Sequence, residues 1–244
     1  MIGRILTLIY GMVCYLVFFV TFLYFFGFTA DLWVPQSVSM GGAAENALRA
    51  ALMNLGLIAL FGLQHSVMAR PTFKKWVTQW FPKSLERSTY VLISSALLIL
   101  LYALWRPMPA VIWSVEGTWL GMALWAIFFL GLAVVLISSF TIDHFDLFGL
   151  RQSVLYFLGK PYTPVPFKVT GLYKWVRHPL MLGFLLSLWS APVMTSGRLL
   201  FALAMTVYIF IGIYFEERNT AEFLGEPYRQ YRSRTSMILP FPKK

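Results

Sequence analysis

The sequence is poor in charged residues and has a single cysteine, and each shortage excludes a class of protein. Only 12% of the 244 residues are charged, whereas 59% are hydrophobic. A water-soluble domain carries roughly a quarter charged residues, so this chain cannot bury its apolar surface in one water-surrounded core. The one cysteine, Cys14, lies within an apolar run and excludes both an intramolecular disulfide and a cysteine-based metal cluster.

Long apolar runs predict an all-α, polytopic bundle of membrane helices. A membrane-spanning helix needs about 20 mainly apolar residues. Four runs have about this length, at residues 5–28, 47–69, 89–105 and 118–140. Two shorter runs, 179–194 and 199–215, are separated by a polar turn that contains Gly197, which predicts a C-terminal helical hairpin. We therefore expect five or six transmembrane helices.

The basic residues indicate how these helices are oriented. The net charge is +10, but lysine and arginine alternate with apolar runs instead of forming one tract, so we expect a lipid bilayer as partner and no nucleic acid. Residues 1–4, 70–87, 140–177 and 218–244 hold 17 of the 20 basic residues (1, 5, 5 and 6). Because cytoplasmic loops carry the excess of lysine and arginine, the N-terminus and the C-terminal tail are expected to be cytoplasmic.

The same pattern suggests one membrane domain over residues 1–244. In this division residues 1–140 form the four N-terminal spans, and residues 141–244 form a cytoplasmic loop, the helical hairpin and the tail.

Polar residues beside the apolar runs are candidates for function, because ionisable groups in a membrane are costly and are mostly functional. One group is Gln64-His65-Ser66, near the end of the second run. It fits a hydrogen bond between helices and the lining of a substrate pocket equally well.

A second group follows the fourth run, where Asp143 and Asp146 flank His144. A carboxylate beside an imidazole can raise its basicity and fix its tautomer, which favours a catalytic base. The alternative is an interfacial helix end with ordinary caps and salt bridges.

A third group, Arg177-His178-Pro179, predicts the start of a helix, because proline suits the first helical turn. The free backbone N–H groups of a helix start favour a carboxylate ligand. Gly183, in the next turn, allows another backbone or a flat ligand to approach closely.

Acidic partners for this basic helix start come later in the chain. Glu216 and Glu217 end the last apolar run on the same predicted side of the membrane. The tail then has two tyrosines three residues apart, Tyr228 and Tyr231, in an amphipathic segment able to fold over a pocket. We expect the basic pair and the acidic pair to converge.

These C-terminal blocks resemble the isoprenylcysteine carboxyl methyltransferase-like superfamily, which includes the phospholipid methyltransferases and the NnrU-like proteins. The resemblance implies S-adenosylmethionine as cofactor, bound from the cytoplasmic side by the arginine-histidine-proline block and the glutamate pair. The cofactor-binding residues that it implies are Tyr173, Arg177, His178, Pro179, Leu182, Gly183, Glu216, Glu217, Tyr228 and Tyr231. The family commonly has an aromatic residue two places after the proline, whereas this chain has Met181.

Four earlier segments, 63–71, 86–90, 105–107 and 143–152, resemble the bacterial methanethiol S-methyltransferases. This resemblance implies a bacterial inner-membrane enzyme that methylates a small thiol, methanethiol, to dimethyl sulfide by in-line transfer to the thiolate. Because a thiol is a poor nucleophile, a base or an electropositive pocket is needed. The candidate catalytic residues are Asp143, His144, Arg151 and His65.

Three other functions compete with this one. A related enzyme would methylate a larger lipid or a prenyl-thiol. A non-enzymatic NnrU-like membrane protein would not need the complete set of cofactor residues. A metal or haem protein would depend on three separated histidines, which is a weak ligand pattern, and we expect no metal site.

Overall fold

The computed structural model describes residues 1–41 and 46–240, so Lys243 and Lys244 of the predicted basic tail lie outside the described residues. Over these ranges the chain forms ten α-helices, one 3-10 turn (Gly171–Lys174) and two short strands. The elements are α1 (Ile2–Ala30), α2 (Ala47–Ala69), α3 (Pro71–Val77), α4 (Lys83–Leu104), β1 (Val111–Ser114), α5 (Trp119–Ile142), α6 (His144–Leu147), α7 (Leu150–Phe157), α8 (Pro179–Trp189), β2 (Val193–Thr195), α9 (Ser196–Leu224) and α10 (Glu226–Arg234).

Five helices within the described ranges are long and apolar enough to cross a membrane, namely α1, α2, α4, α5 and α9. The predicted all-α membrane bundle is therefore confirmed, and the chain is an integral membrane protein. The helix ends differ from the hydropathy boundaries. Helix α4 begins at Lys83 rather than at residue 89, and α9 continues to Leu224 rather than ending at residue 215. Helical hydrogen bonding continues through polar residues after the apolar run has ended.

The chain divides into two compact units, which are described separately. The first unit comprises Met1–Pro109 and Asp143–Pro166, and the second comprises Ala110–Ile142 and Phe167–Lys244. The assignment of one domain to residues 1–244 stays a prediction.

In the first unit, α1 packs against α4 and α7, and α2 packs against α4. Residues 143–149 are tied to the start of α4 by two hydrogen bonds. Arg87 Nε donates to the Leu147 carbonyl (2.7 Å), and Ser88 Oγ donates to the Gly149 carbonyl (3.0 Å). Gly149 has a φ of 87°, and a Cβ there would lie 2.6 Å from the Ser88 nitrogen, so this contact requires glycine. The loop that carries His144 is thus fixed on α4.

In the second unit, α5 and α8 cross at two glycines. A Cβ added to Gly183 would lie 2.6 Å from the Gly131 carbonyl oxygen, so the two backbones touch at this point. One turn later, Ser187 Oγ donates to the Phe128 carbonyl of α5 (3.1 Å). The residue number of the contact rises along α8, from 183 to 187, while it falls along α5, from 131 to 128, so the two helices are antiparallel.

The strands β1 and β2 form a two-stranded sheet in the second unit. Strand β1 precedes α5, and β2 connects α8 with α9. They pair antiparallel, with Val111 opposite Thr195, and the Val115 N–H donates to the Pro192 carbonyl (2.9 Å). The apolar run 179–194 is therefore a helix only as far as Trp189 and continues as extended chain. A helix of 11 residues is about 16 Å long, which is too short to span a bilayer of about 30 Å by itself. The predicted C-terminal hairpin is present as α8 and α9, with arms of unequal length.

Candidate functional site

A buried ion pair joins α8 and α9 in the second unit. Arg177 and Glu217 are 7% and 6% exposed. Arg177 Nε donates to Glu217 Oε1 (2.6 Å), and Nη2 lies 2.6 Å from the same oxygen. Pro179 at the first position of α8 places Arg177 just before the helix, and α9 extends far enough to bring Glu217 to it. The predicted convergence of the basic and acidic pairs is observed.

Glu217 has two further basic neighbours. His178 Nε2 lies 3.2 Å from Glu217 Oε1, and Arg232 Nε lies 3.2 Å from Oε2. Arg232 belongs to α10 and was not predicted as a site residue. One buried carboxylate thus links the start of α8 to the tail.

Backbone contacts attach the tail to the same helix start. The Arg177 N–H donates to the Ser236 carbonyl (2.8 Å), and the His178 N–H donates to the Met237 carbonyl (3.1 Å). Arg177 Nη1 donates to the carbonyls of Arg232 (3.2 Å) and Thr235. With Nε and Nη2 on Glu217, each guanidinium nitrogen of Arg177 has a protein partner. Arg177 therefore holds the tail.

Glu216 differs from its neighbour in exposure. Its side chain is 55% exposed, and Oε2 lies 3.8 Å from His178 Nδ1, which is an ion-pair distance but not a hydrogen bond. The pKa of Tyr173 is raised, first by burial and then by the negative charge of Glu216. Because Glu216 is exposed and Glu217 is buried in its ion pair, Glu216 is the carboxylate of the two that can bind a ligand.

Aromatic residues of the tail lie over the 3-10 turn. Tyr231 Oη donates to the Tyr173 carbonyl (2.6 Å), and the Phe167 ring contacts Tyr231 and Tyr228 at centroid distances of 5.6 and 6.0 Å. Burial raises the pKa of Tyr228 and of Tyr231 to about 12. Both phenols therefore stay protonated at neutral pH, and the proton of Tyr231 is donated to the Tyr173 carbonyl.

The remaining predicted residues of this group belong to α8. Pro179 is buried in its first turn, and Leu182 is half-buried one turn later. Of the two uses predicted for Gly183, the structure shows the close approach of another backbone, that of α5.

In the first unit, His144 is 6% exposed and has a hydrogen-bond partner that was not predicted. Its Nε2 lies 2.9 Å from Tyr15 Oη of α1. Asp143 Oδ1 accepts the Asp146 N–H (3.0 Å) and caps α6. Tyr15 is thus a partner of the imidazole that the sequence did not predict, and orientation of the ring by Asp143 or Asp146 stays a prediction. Burial lowers the pKa of His144, and the charge of Asp143 offsets part of this effect.

Arg151 balances the two carboxylates beside His144. Its Nη1 lies 2.8 Å from Asp146 Oδ1, and its Nε lies 3.8 Å from Asp143 Oδ2. It also donates to the carbonyl and the hydroxyl of Thr163, at 2.9 and 3.1 Å. These contacts match the alternative of caps and salt bridges for Asp143, Asp146 and Arg151.

His65 belongs to a hydrogen-bond network between α2 and α4. Its Nε2 lies 2.6 Å from Tyr90 Oη, and its Nδ1 lies 3.3 Å from Ser94 Oγ, which also donates to Gln64 Oε1 (3.4 Å). Of the two interpretations left open for this group, the geometry shows the helix–helix hydrogen bond.

The chain is similar in sequence to known proteins over most of its length. Residues 52–239 match the family model described as NnrU protein. The chain is 52% identical over 241 residues to "Methanethiol S-methyltransferase" of Mycobacterium tuberculosis, covering 99% of this chain and 98% of that protein. It is 50% identical over 240 residues to "Methanethiol S-methyltransferase 1" of Bradyrhizobium diazoefficiens, with 98% and 84% covered. "Nurim" of Bos taurus is 30% identical over 173 residues, with 68% and 66% covered. No solved structure matches the chain.

Proposed function

The chain belongs to the NnrU protein family, and from that premise we propose that it methylates methanethiol to dimethyl sulfide, with S-adenosylmethionine as the methyl donor. The observation that carries this proposal is the similarity to proteins named methanethiol S-methyltransferase, which extends over 99% of this chain. This similarity extends over both of the units described above.

The residues of the second unit fit this donor. S-adenosylmethionine has an ammonium group and a ribose diol, and Glu216 offers a half-exposed carboxylate that suits either. Phe167 and Tyr231, which are not fully buried, offer aromatic surface that suits a purine ring or a cation. We assign Arg177 and Glu217 to holding the tail in place, because their polar atoms already bind each other and the tail. When bound, the donor supplies an electrophilic methyl carbon on a positively charged sulfur.

The residue proposed to accept the thiol proton is His144 of the first unit. Its lowered pKa keeps the imidazole neutral at pH 7, as a base must be. The thiol needs such a base, since an alkanethiol has a pKa above that of cysteine, about 8.5. Asp143 and Arg151 are assigned to fixing the loop that carries this histidine. The bound donor would supply the methyl group that the thiolate accepts in line.

We further propose that the Arg177 end of the second unit faces the cytoplasm of a bacterial cell and that the membrane is the inner one. The support is the distribution of lysine and arginine along the chain. Labelling single cysteines introduced at Ser236 and at Glu116 in intact cells and in inverted vesicles tests this orientation, because Cys14 is buried. Labelling of position 236 from outside intact cells would contradict it.

A headspace assay tests the reaction. Purified protein, S-adenosylmethionine labelled in its methyl group and methanethiol are expected to release labelled, volatile dimethyl sulfide. Transfer only to longer thiols or to phosphatidylethanolamine would replace the proposal by the larger-substrate alternative. Absence of donor binding by calorimetry, together with absence of product, would support a non-enzymatic protein.

Site variants then test the assignment of the donor site. Glu216→Gln is expected to raise the KM for the donor at least about tenfold, the effect of losing one charge-assisted hydrogen bond. Glu222→Gln is the matched control on the same helix, because Glu222 is exposed and pairs with Arg218. Equal KM values for the two variants would refute the role of Glu216.

A further inference from the structure

The buried His144 has a hydrogen-bond partner, Tyr15, that is itself only half-buried. The histidine itself is buried, whereas Tyr15, whose Oη lies 2.9 Å from its Nε2, is half-buried. The Tyr15 ring is held by Phe19, stacked at 6.4 Å, and by Phe145 at 5.8 Å. These ring contacts hold the phenol in place, and Tyr15 is more exposed as a residue than the histidine that it contacts.

The charged groups near His144 are already paired with one another. Asp143 and Asp146 face Arg151, and Arg87 of α4 donates to the carbonyl of Leu147. Tyr15 is an ionisable side chain in hydrogen-bond contact with the imidazole, since its Oη lies 2.9 Å from His144 Nε2.

We propose that Tyr15 relays the thiol proton to His144. This inference rests on the proposed function. The S–H proton moves to Tyr15 Oη as the Tyr15 O–H proton moves to His144 Nε2. The result is a thiolate, a neutral tyrosine and an imidazolium, and the imidazolium returns its proton to water after methyl transfer. The relay needs an unprotonated Nε2, which the neutral state of the buried histidine allows.

The test is the pH dependence of Tyr15→Phe. At pH 7 this variant is expected to lose about 100-fold in kcat, the lower range for removing general acid–base catalysis. The loss should shrink by roughly tenfold per pH unit as pH rises toward the thiol pKa, because the thiolate then forms in solution without the relay. Tyr10→Phe is the matched control. It removes a hydroxyl from the same helix, bonded to Thr89 (2.8 Å), and should follow the wild type at every pH.

Three results would overturn the relay. One is full activity of Tyr15→Phe at pH 7. Another is a loss that stays constant with pH, because a purely structural role gives a constant ratio to wild type. The third is a measurement of the wild-type rate in mixtures of H₂O and D₂O. It tests the relay even if the Tyr15→Phe variant does not fold. Two protons in motion give a curved dependence of rate on deuterium fraction, and a linear dependence would contradict the relay.

Failure of the relay is distinguishable from failure of the proposed function. If the wild type releases no dimethyl sulfide, the proposed function is wrong and the relay falls with it. If the wild type is active and the variant shows a pH-independent loss, only the relay is wrong. Donor binding by Tyr15→Phe, measured by calorimetry, is expected to equal that of wild type.

Discussion

Replacing Glu217 with glutamine is expected to release the tail from the start of α8. The substitution keeps the shape of the side chain and removes its charge. Arg177, which is 7% exposed, then remains buried with its positive charge uncompensated. Arg232 and His178 lose the same carboxylate as a partner. The tail segment from Glu226 onward loses its ionic attachment.

The magnitude follows from burial. Removing one partner of a buried ion pair destabilises by about 3–5 kcal/mol, because the other charge stays desolvated. The Arg232 contact adds little, since that side chain is 53% exposed and solvent screens its charge. Most of the effect should therefore come from Arg177.

Two measurements in detergent solution test this reasoning. Glu217→Gln should melt at a lower temperature than wild type, and trypsin should cleave its tail faster after Arg229, Arg232 and Arg234. Glu222→Gln is the control for a lost charge on α9, because its partner Arg218 is exposed and the pair is screened. It should behave as wild type.

A double variant distinguishes the effect of the uncompensated charge from the effect of changing the side chains themselves. Arg177→Met combined with Glu217→Gln removes the buried charge as well as its partner. Its loss of stability should be smaller than the sum of the two single losses. Equal melting temperatures and cleavage rates for Glu217→Gln and Glu222→Gln would refute the reasoning, as would additive losses in the double variant.

Three further outcomes follow from the packing and the titrating groups. Gly183→Ala places a Cβ 2.6 Å from a backbone oxygen of α5 and should destabilise by about 1–3 kcal/mol, whereas Gly212→Ala, with open space around it, should not; thermal melting compares them. The pKa of His144 is lowered in the folded state, so wild type should lose stability as pH falls below about 6.5 and through the lowered pKa; His144→Gln should flatten this dependence in melts from pH 7 to pH 4. Tyr228 and Tyr231 have pKa values of about 12 when folded, so stability is full below about pH 10 and falls as pH rises toward 12; Tyr231→Phe should weaken that fall, which melts between pH 9 and pH 11 measure.

Hydropathy located the membrane helices, but it missed where helices continue and where they stop. The last apolar run ends at residue 215, yet α9 continues to Leu224, and this extension carries Glu217 to Arg177. The run 179–194 is mainly apolar, yet its helix stops at Trp189, ahead of Pro192. The proline was a local signal for this stop, whereas the pairing of β2 with the distant β1 had none.

The candidate site, like the helices, was predicted only in part from the sequence. The arginine-histidine-proline block and the glutamate pair were recognisable as a motif, and their convergence was predicted from charge and membrane side. Which glutamate is buried was not predictable, because adjacent helical residues point in different directions and only packing shows which faces inward. For His144 the sequence pointed to neighbouring carboxylates, and it gave no indication of the contact with Tyr15.

The amino-acid sequence by itself determined the membrane class, the positions of the long helices and the residue types of the candidate site. These depend on the transfer energy and spacing of nearby residues, which are local properties. Tertiary structure alone decided the pairs, such as Arg177 with Glu217 across 40 residues and Tyr15 with His144 across 129. A hydrogen bond needs atoms within about 3 Å, and only the folded backbone brings such distant residues to that separation.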